Sequence, residues 1–424
     1  MATHTHTLIG GLDIGNGYEK GVITSATLPG QVDEIDIPSG AMLVTRPNQL
    51  PTPDEDAPEV VGGDFFNELD VSFVSPLVGD QYRRLLGVRG LSAKGSFEEF
   101  DVVGRRSKAE QELSRILVMG SFAGKALRDY VSATGALPGA SDVLEVVAHA
   151  ALALPITEYM AHRKPYADTF KGEVHTVTIH NFETPVTVKL RFESVAVIAE
   201  GASAQYAITA KGADLVDFML RDVRAHGVAL EGVTAQDVLA AENTVGIDVG
   251  EGTVNFPVFT NGEFNADAST TFAKGYGSVL TSALEAMEDR GYSAGFTSRK
   301  QLAEFLQRGP RPLKQNVYTR VSQFVAEEVE FFSREVSEHL GRVLAVVGTQ
   351  TEVIYVYGGG SGPLKAALYD KLLAKVSEMN GLDAIPVLYL DSRYSRHLNR
   401  EGLFIAAQTG AQRAGTKKPR ARQK

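Results

Sequence analysis

The chain has 424 residues, with 42 Lys and Arg against 52 Asp and Glu, a formal net charge of −10. At about 100–200 residues per domain this length makes two to four domains, each able to bury its own core. A composition 43% hydrophobic and 22% charged excludes wholesale disorder, and the acidic balance argues against a surface that sheathes nucleic acid. The absence of cysteine excludes disulfides, thiolate metal sites, Fe–S clusters and a cysteine nucleophile.

Residues 8–17, LIGGLDIGNG, form an apolar run that ends in Asp-x-Gly-x-Gly. Such a strand running into a glycine-rich turn is what an anion-gripping hairpin requires, because glycine lets the backbone fold tightly and brings N–H groups close to the anion. Lys20-Gly-Val-Ile-Thr continues as the returning strand. Residues 45–64, with four prolines and a cluster of acids, read as a surface loop. Over 107–131 the apolar residues Leu113, Ile116, Leu117, Met119, Phe122, Ala126, Leu127 and Tyr130 share one broad helical face. VLEVVAHAALAL (143–154), ending at Pro155, reads as a central strand, and two further β-like runs follow at His175–His180 and Val186–Phe192. Val195–Ile198 is a strand that feeds a helix start at Ala199-Glu200-Gly201-Ala202.

The second half repeats this rhythm. VGIDVGEG (245–252) echoes the first loop, with Asp248 placed 235 positions after Asp13. Val254–Thr260 reads as the returning strand, Asn261-Gly262 as a turn, and Val279, Leu280, Ala283, Leu284 and Met287 as one face of a helix. Val321, Phe324, Val325, Val329, Phe332, Val336, Leu340 and Val343 mark a long amphipathic helix over 321–347. Glu352–Tyr357 is a buried strand that ends in Gly358-Gly359-Gly360-Ser361-Gly362, with Pro363 in the first turn of the next helix. The residues from Gln412 hold Arg413, Lys417, Lys418, Arg420, Arg422 and Lys424 without an acid and read as a disordered basic tail. Strands alternating with helices and the internal echo imply an α/β protein of two related halves with a nucleotide in the cleft between them.

The order of Asp13-Ile-Gly-Asn-Gly-Tyr-Glu-Lys20, Glu200-Gly-Ala, Asp248-Val-Gly-Glu-Gly-Thr253 and Gly358-Gly-Gly-Ser-Gly362 resembles the actin-fold ATPases. Within them the chain looks like the ParM-type bacterial actins, through VAVIAEGASAQ (195–205), GYGSVLTSA (275–283) and, with Asn399 and Gly402, the segment 396–404. Residues 25–145 and 285–350 match by position alone. The resemblance implies an actin-like (ribonuclease H-like, duplicated) fold. Domain I would cover 1–240 with an insertion at about 25–145, domain II 241–408 with an insertion at about 275–350, and 409–424 would be the tail.

It also implies the chemistry. Gly15, Asn16 and Gly17, and Gly250, Glu251, Gly252 and Thr253, would cradle the phosphates of ATP, with GTP as the alternative, while Lys20 reaches them as a point charge. Asp13 and Asp248 would hold a largely hydrated Mg²⁺, directly or through water. Glu200, with Asp248, would be catalytic, the glutamate orienting or deprotonating the attacking water. Gly358, Gly359, Gly360 and Ser361 would receive adenosine. Taken singly, each residue has a plainer role: a turn-capping aspartate, a solvated lysine, a helix-start acid, a strand-to-helix turn. The implied partners are further copies of the chain in a filament and a ParR-like adaptor that carries DNA, so that DNA contact is indirect. A sugar kinase would need a sugar-binding signature, and a chaperone a long C-terminal domain. The histidines show no H-x-x-x-H or HExxH spacing for zinc. No run reaches the ~18 apolar residues of a spanning helix, and MATHTHTLIGG lacks a signal-peptide pattern, so a cytoplasmic protein is expected.

Overall fold

A computed structural model describes residues 3–101, 106–296, 298–380, 385–390 and 392–416. The chain divides into two compact units, one running to Ala207 and resuming at Asn399, the other Ile208–Leu398.

In the first unit, Thr3–Ile14 turns back as Tyr18–Ser25 in an antiparallel hairpin, and Val32–Pro38 pairs on the outer side. On its other side Thr3–Ile14 runs parallel to Val143–Leu154, which runs parallel to Val186–Ala199. Val143–Leu154 is buried without a break from Ala148 to Leu154, where it lies between parallel neighbours, whereas Glu145 near its start is exposed. Val186–Phe192 and Val195–Ile198, separate runs in the sequence, are one strand. Its pairing shifts between Phe192 and Ser194, a bulge that absorbs the polar Glu193-Ser194 break in alternation. The helix Glu112–Thr134 lies over the sheet, with Phe122 filling the space that a side chain at Gly10 would need. Residues 116–127 are buried on every side of that helix rather than on one face. It ends at Gly135, left-handed at φ 68°, whose N–H bonds to the Val131 carbonyl.

The second unit repeats the plan. Thr244–Val249 turns back as Val254–Phe256, with Thr270–Phe272 outside, and runs parallel to Val353–Tyr357, itself parallel to Val387–Tyr389. The two sheets therefore share one five-strand order: outer antiparallel strand, returning strand, loop strand, and two parallel strands. Pro257 lacks an N–H and breaks the expected strand 254–260 into Val254–Phe256 and Val258–Thr260. Asn261 and Gly262, both at positive φ, make the turn that follows. All eight apolar residues expected to face inward from 321–347 are buried, on the helix Gln315–Val347.

Three boundaries differ from expectation. The units divide at 207/208 rather than 240/241, because residues 213–239 pack on the second unit's sheet: Lys365 Nζ lies 2.8 Å from Asp222, and the Tyr355 hydroxyl reaches the Val238 carbonyl at 3.5 Å. The insertion expected at 25–145 contributes the strands Gly40–Leu43, Asp70–Val74, Arg84–Leu86 and Phe97–Glu99. These extend the core sheet to ten strands through His175–Ile179, whereas Val32–Pro38 and Glu112–Thr134 belong to the core itself. Residues 409–416, expected to be tail, form the end of the helix Leu398–Thr416, and the rest of the basic segment lies outside the described residues. That helix packs into the first unit so closely that a Cβ at Gly402 would overlap the Ser203 carbonyl, and one at Gly11 the backbone at Leu403–Phe404.

Candidate functional site

Both predicted loops are tight hairpin turns of one geometry. The Gly15 N–H donates to the Tyr18 carbonyl at 2.9 Å, and the Gly250 N–H to the Thr253 carbonyl at 2.9 Å. At each of these glycines a Cβ would press on that same carbonyl. Asn16 is exposed, as are Glu251 and Gly252, while Gly15, Gly17, Gly250 and Thr253 are half-buried. Asp13 pairs across the hairpin with Lys20, and Asp248 pairs across its own with Asn255. The echo is thus a repeated backbone conformation as well as a repeated motif, with the lysine present in the first loop only.

The first unit gathers four charged groups. Asp13 is half-buried; its carboxyl is pushed above the usual range by burial and by the Glu200 charge, and held back by Lys108 and Lys20. Glu200 follows Val186–Ala199 directly. Its N–H donates to the Leu154 carbonyl at 2.8 Å, and Gly201 at φ 82° turns the chain toward the helix Ser203–Lys211. Its Oε1 accepts from Lys108 Nζ at 2.7 Å. Lys108 has no signal as a site residue: it stands on a single turn, Lys108–Glu110, at the head of the helix expected over 107–131, and the Ser107–Glu110 capping box marks that turn only as a helix start.

Glu19 was legible but missed. It alternates with Ile23 along Tyr18–Ser25 and so faces the core, where it is fully buried. Ser121 Oγ donates to its Oε1 at 2.6 Å, no partner reaches Oε2 among the described residues, and burial pushes the carboxyl up to about 8.

In the second unit three segments meet. Tyr276 N–H donates to the Gly250 carbonyl at 3.0 Å and Gly277 N–H to that of Glu251 at 2.8 Å, seating the helix Tyr276–Asp289 on the second loop. Gly360 N–H donates to the Val249 carbonyl at 2.8 Å. Gly358, left-handed at φ 95°, lies so close that a Cβ there would strike Asp248 Oδ1 and the Val249 carbonyl. Asp248 is buried, and its charge adds to the burial that holds the Tyr357 hydroxyl proton tightly. Gly359 is exposed, whereas Ser361 is buried with its hydroxyl donating to the Gly358 carbonyl at 2.8 Å, so its side chain closes the turn. Glu251 pairs with Arg299 at 3.2 Å, a solvent-exposed contact that the sequence did not reveal. Among the described residues no group of three or more His, Asp or Glu side chains is arranged to hold a metal, and no helix is long and apolar enough to cross a membrane.

Two sheets of one strand order, each with a hairpin turn of the same geometry, define an actin-like fold, and the chain has that fold over nearly its whole length. Solved bacterial actins match it. Bacillus thuringiensis ParM with ATP superposes at a TM-score of 0.61 and 18% identity, covering 96% of this chain and 99% of that one. The actin-like protein Alp7A gives 0.63 at 14% identity, over 97% and 99%. The apo ParM of pSK41 gives 0.54 at 16%, over 97% and 100%. No protein-family model matches the sequence, and no curated protein matches it.

Proposed function

We propose that this chain is an ATP hydrolase that assembles into dynamic filaments and moves or segregates plasmid DNA through an adaptor. The observation that carries the reading is the pair of loops, 235 residues apart, with the same turn hydrogen bond on the same strand order. A nucleotide polyphosphate is the ligand that each of these turns, taken by itself, suits. With the Gly15 and Gly250 N–H groups taken up by the turn bonds, those of Asn16, Gly17, Glu251 and Gly252 would be the ones to meet phosphate, and Lys20 adds a charge that can follow it. The solved B. thuringiensis ParM structures with ATP, AMPPNP and ADP are neighbours in fold.

Within the first unit, Glu200 is held beside the loop strand by its backbone bond to Leu154 and can accept a proton from a water or orient it for in-line attack. Asp13, partly desolvated beside Glu200 and faced also by Lys20 and Lys108, would offer a single carboxylate to a largely hydrated Mg²⁺; Asp248 is the equivalent residue of the second loop. Bound there, Mg²⁺ would neutralise charge on the phosphates. Gly358–Gly360 would admit the nucleoside along bare backbone. Head-to-tail contacts between copies would build an open filament, and if ATP favours the assembling conformation, hydrolysis weakens the lattice by linkage. ParR-like adaptor binding would keep DNA contact indirect, in keeping with the acidic chain.

Light scattering and pelleting on adding Mg·ATP test this. Assembly that follows ATP and decays with phosphate release supports it. Flat scattering with ATP, GTP and non-hydrolysable analogues, while ATP is consumed, would instead favour a kinase. Asp248→Ala should abolish Mg-dependent nucleotide binding, and Glu200→Ala should slow phosphate release while assembly persists.

A further inference from the structure

We infer that Lys108 is a positioning residue for Glu200, fixing the carboxylate by a near-buried ion pair so that its second oxygen faces the attacking water. The inference rests on the reading of Glu200 given above. Lys108 is only 5% exposed, where most lysines keep their ammonium in water. Its Nζ lies 2.7 Å from Glu200 Oε1 and 5.5 Å from the centre of the Phe100 ring, so the cation has exchanged solvent for the Glu200 carboxylate and an aromatic face, with the Asp13 carboxyl also within reach of its charge.

The turn that carries Lys108 is pinned from three directions. Glu158, in the first turn of the helix Ile156–Thr169, accepts from the Lys108 N–H at 3.0 Å and the Ala109 N–H at 3.4 Å. Arg115 donates to the Ala109 carbonyl at 2.7 Å, and the Ser107 N–H donates to Glu110 at 2.9 Å. A flexible four-carbon side chain is thus anchored at its base and paired at its tip. Glu200 in turn is fixed at its backbone by Leu154. With Oε1 engaged, Oε2, which no protein donor reaches among the described residues, is left to accept from a water. Residues 92 positions apart, from a turn preceding Glu112–Thr134 and from the end of Val186–Ala199, are joined by this pair. It ties the position of the inserted segment to the orientation of the glutamate.

The test is a double-mutant cycle on the full chain with Mg·ATP, measuring kcat for hydrolysis and the dissociation constant of a fluorescent ATP analogue. The variants are Lys108→Gln, Lys108→Arg, Glu200→Gln and the double variant. Should the amide not be accommodated beside Phe100, Lys108→Met takes its place. Lys108→Gln should lower kcat about tenfold, a fraction of what a whole general base contributes, while nucleotide affinity changes by no more than about twofold. Lys108→Arg should restore most of the rate, and Lys108→Gln should add nothing to Glu200→Gln. Wild-type kcat in Lys108→Gln beside a crippled Glu200→Gln would overturn the positioning role and leave the reading of Glu200 intact. Wild-type kcat in Glu200→Gln would instead overturn that reading, and the inference with it. Weakened nucleotide affinity at unchanged kcat would make Lys108 a phosphate ligand, and multiplicative losses in the double variant would make the two residues independent; both overturn the proposal.

Discussion

Glu19 makes the stability of the first unit depend on pH in a way that one substitution isolates. Its carboxyl is fully buried between Tyr18–Ser25 and the helix Glu112–Thr134, with one hydrogen bond, from Ser121, and its proton affinity is raised from 4.5 to about 8 by burial. Below pH 4.5 the folded and unfolded chains both hold the proton. Between 4.5 and 8 only the unfolded chain releases it, so stability falls with rising pH by about 1.4 kcal/mol per unit. Above 8 both states are ionised and this slope ends. The loss amounts to about 3 kcal/mol at neutral pH and about 5 kcal/mol in full. Glu19→Gln removes the titration but places a second amide hydrogen where Oε2 has no partner, a cost of about 1–3 kcal/mol at every pH. Urea unfolding midpoints between pH 5 and 9 should therefore show the variant weaker than wild type at pH 5, crossing it on the way up, and stronger at pH 8. Profiles that stay parallel over this range would refute the assignment.

Three further outcomes follow from packing. Lys125 is fully buried and pairs with Asp129 at 2.6 Å and Asp33 at 2.8 Å, so Lys125→Met should cost about 3–5 kcal/mol by chemical denaturation. Burial already raises the Asp129 carboxyl against the pull of Lys125, so that penalty should shrink as pH falls and Asp129 takes up a proton. Gly402→Ala improves helix propensity yet drives a methyl into the Ser203 carbonyl; stability should fall by about 1–3 kcal/mol of overpacking, read as a lower melting temperature, and a rise would contradict the packing of that helix. Gly358→Ala combines a left-handed backbone with a clash at Asp248, and calorimetric titration should find nucleotide binding lost while the first unit still unfolds as in wild type.

What the sequence disclosed was local. The loops were legible because a tight turn needs glycine at set offsets from the strand end, and the 235-residue repeat returned the same offsets with the same turn bond. The helix Gln315–Val347 was legible because its buried stripe keeps a helical period over many turns. Lys108 was not, since its meaning lies in a partner 92 residues away and its own turn reads only as a helix start, through Ser107 and Glu110. The unit boundary escaped for the same reason: Asp222 and Val238 reveal their allegiance only through Lys365 and Tyr355. Strands of three residues such as Arg84–Leu86 and Phe97–Glu99 are too short for alternation to register. Residues 409–416 read as tail because alanine, glycine and glutamine there show no apolar stripe, though the helix continues to Thr416.

The closing helix also sets an order of events during synthesis. The first unit lacks its closing segment, from Asn399 on, until the whole of the second has been made, an interval of ~10–40 s at about 5–20 residues per second. Throughout it, Gly11 and Ser203 present an unfilled seat, shaped by the absence of side chains, to whatever else the cell offers. The Ile208–Leu398 unit, being continuous, can complete its own core first. The nascent chain thus finishes its middle before its beginning, and a message cut short before codon 398 would yield one folded unit attached to an unclosed one.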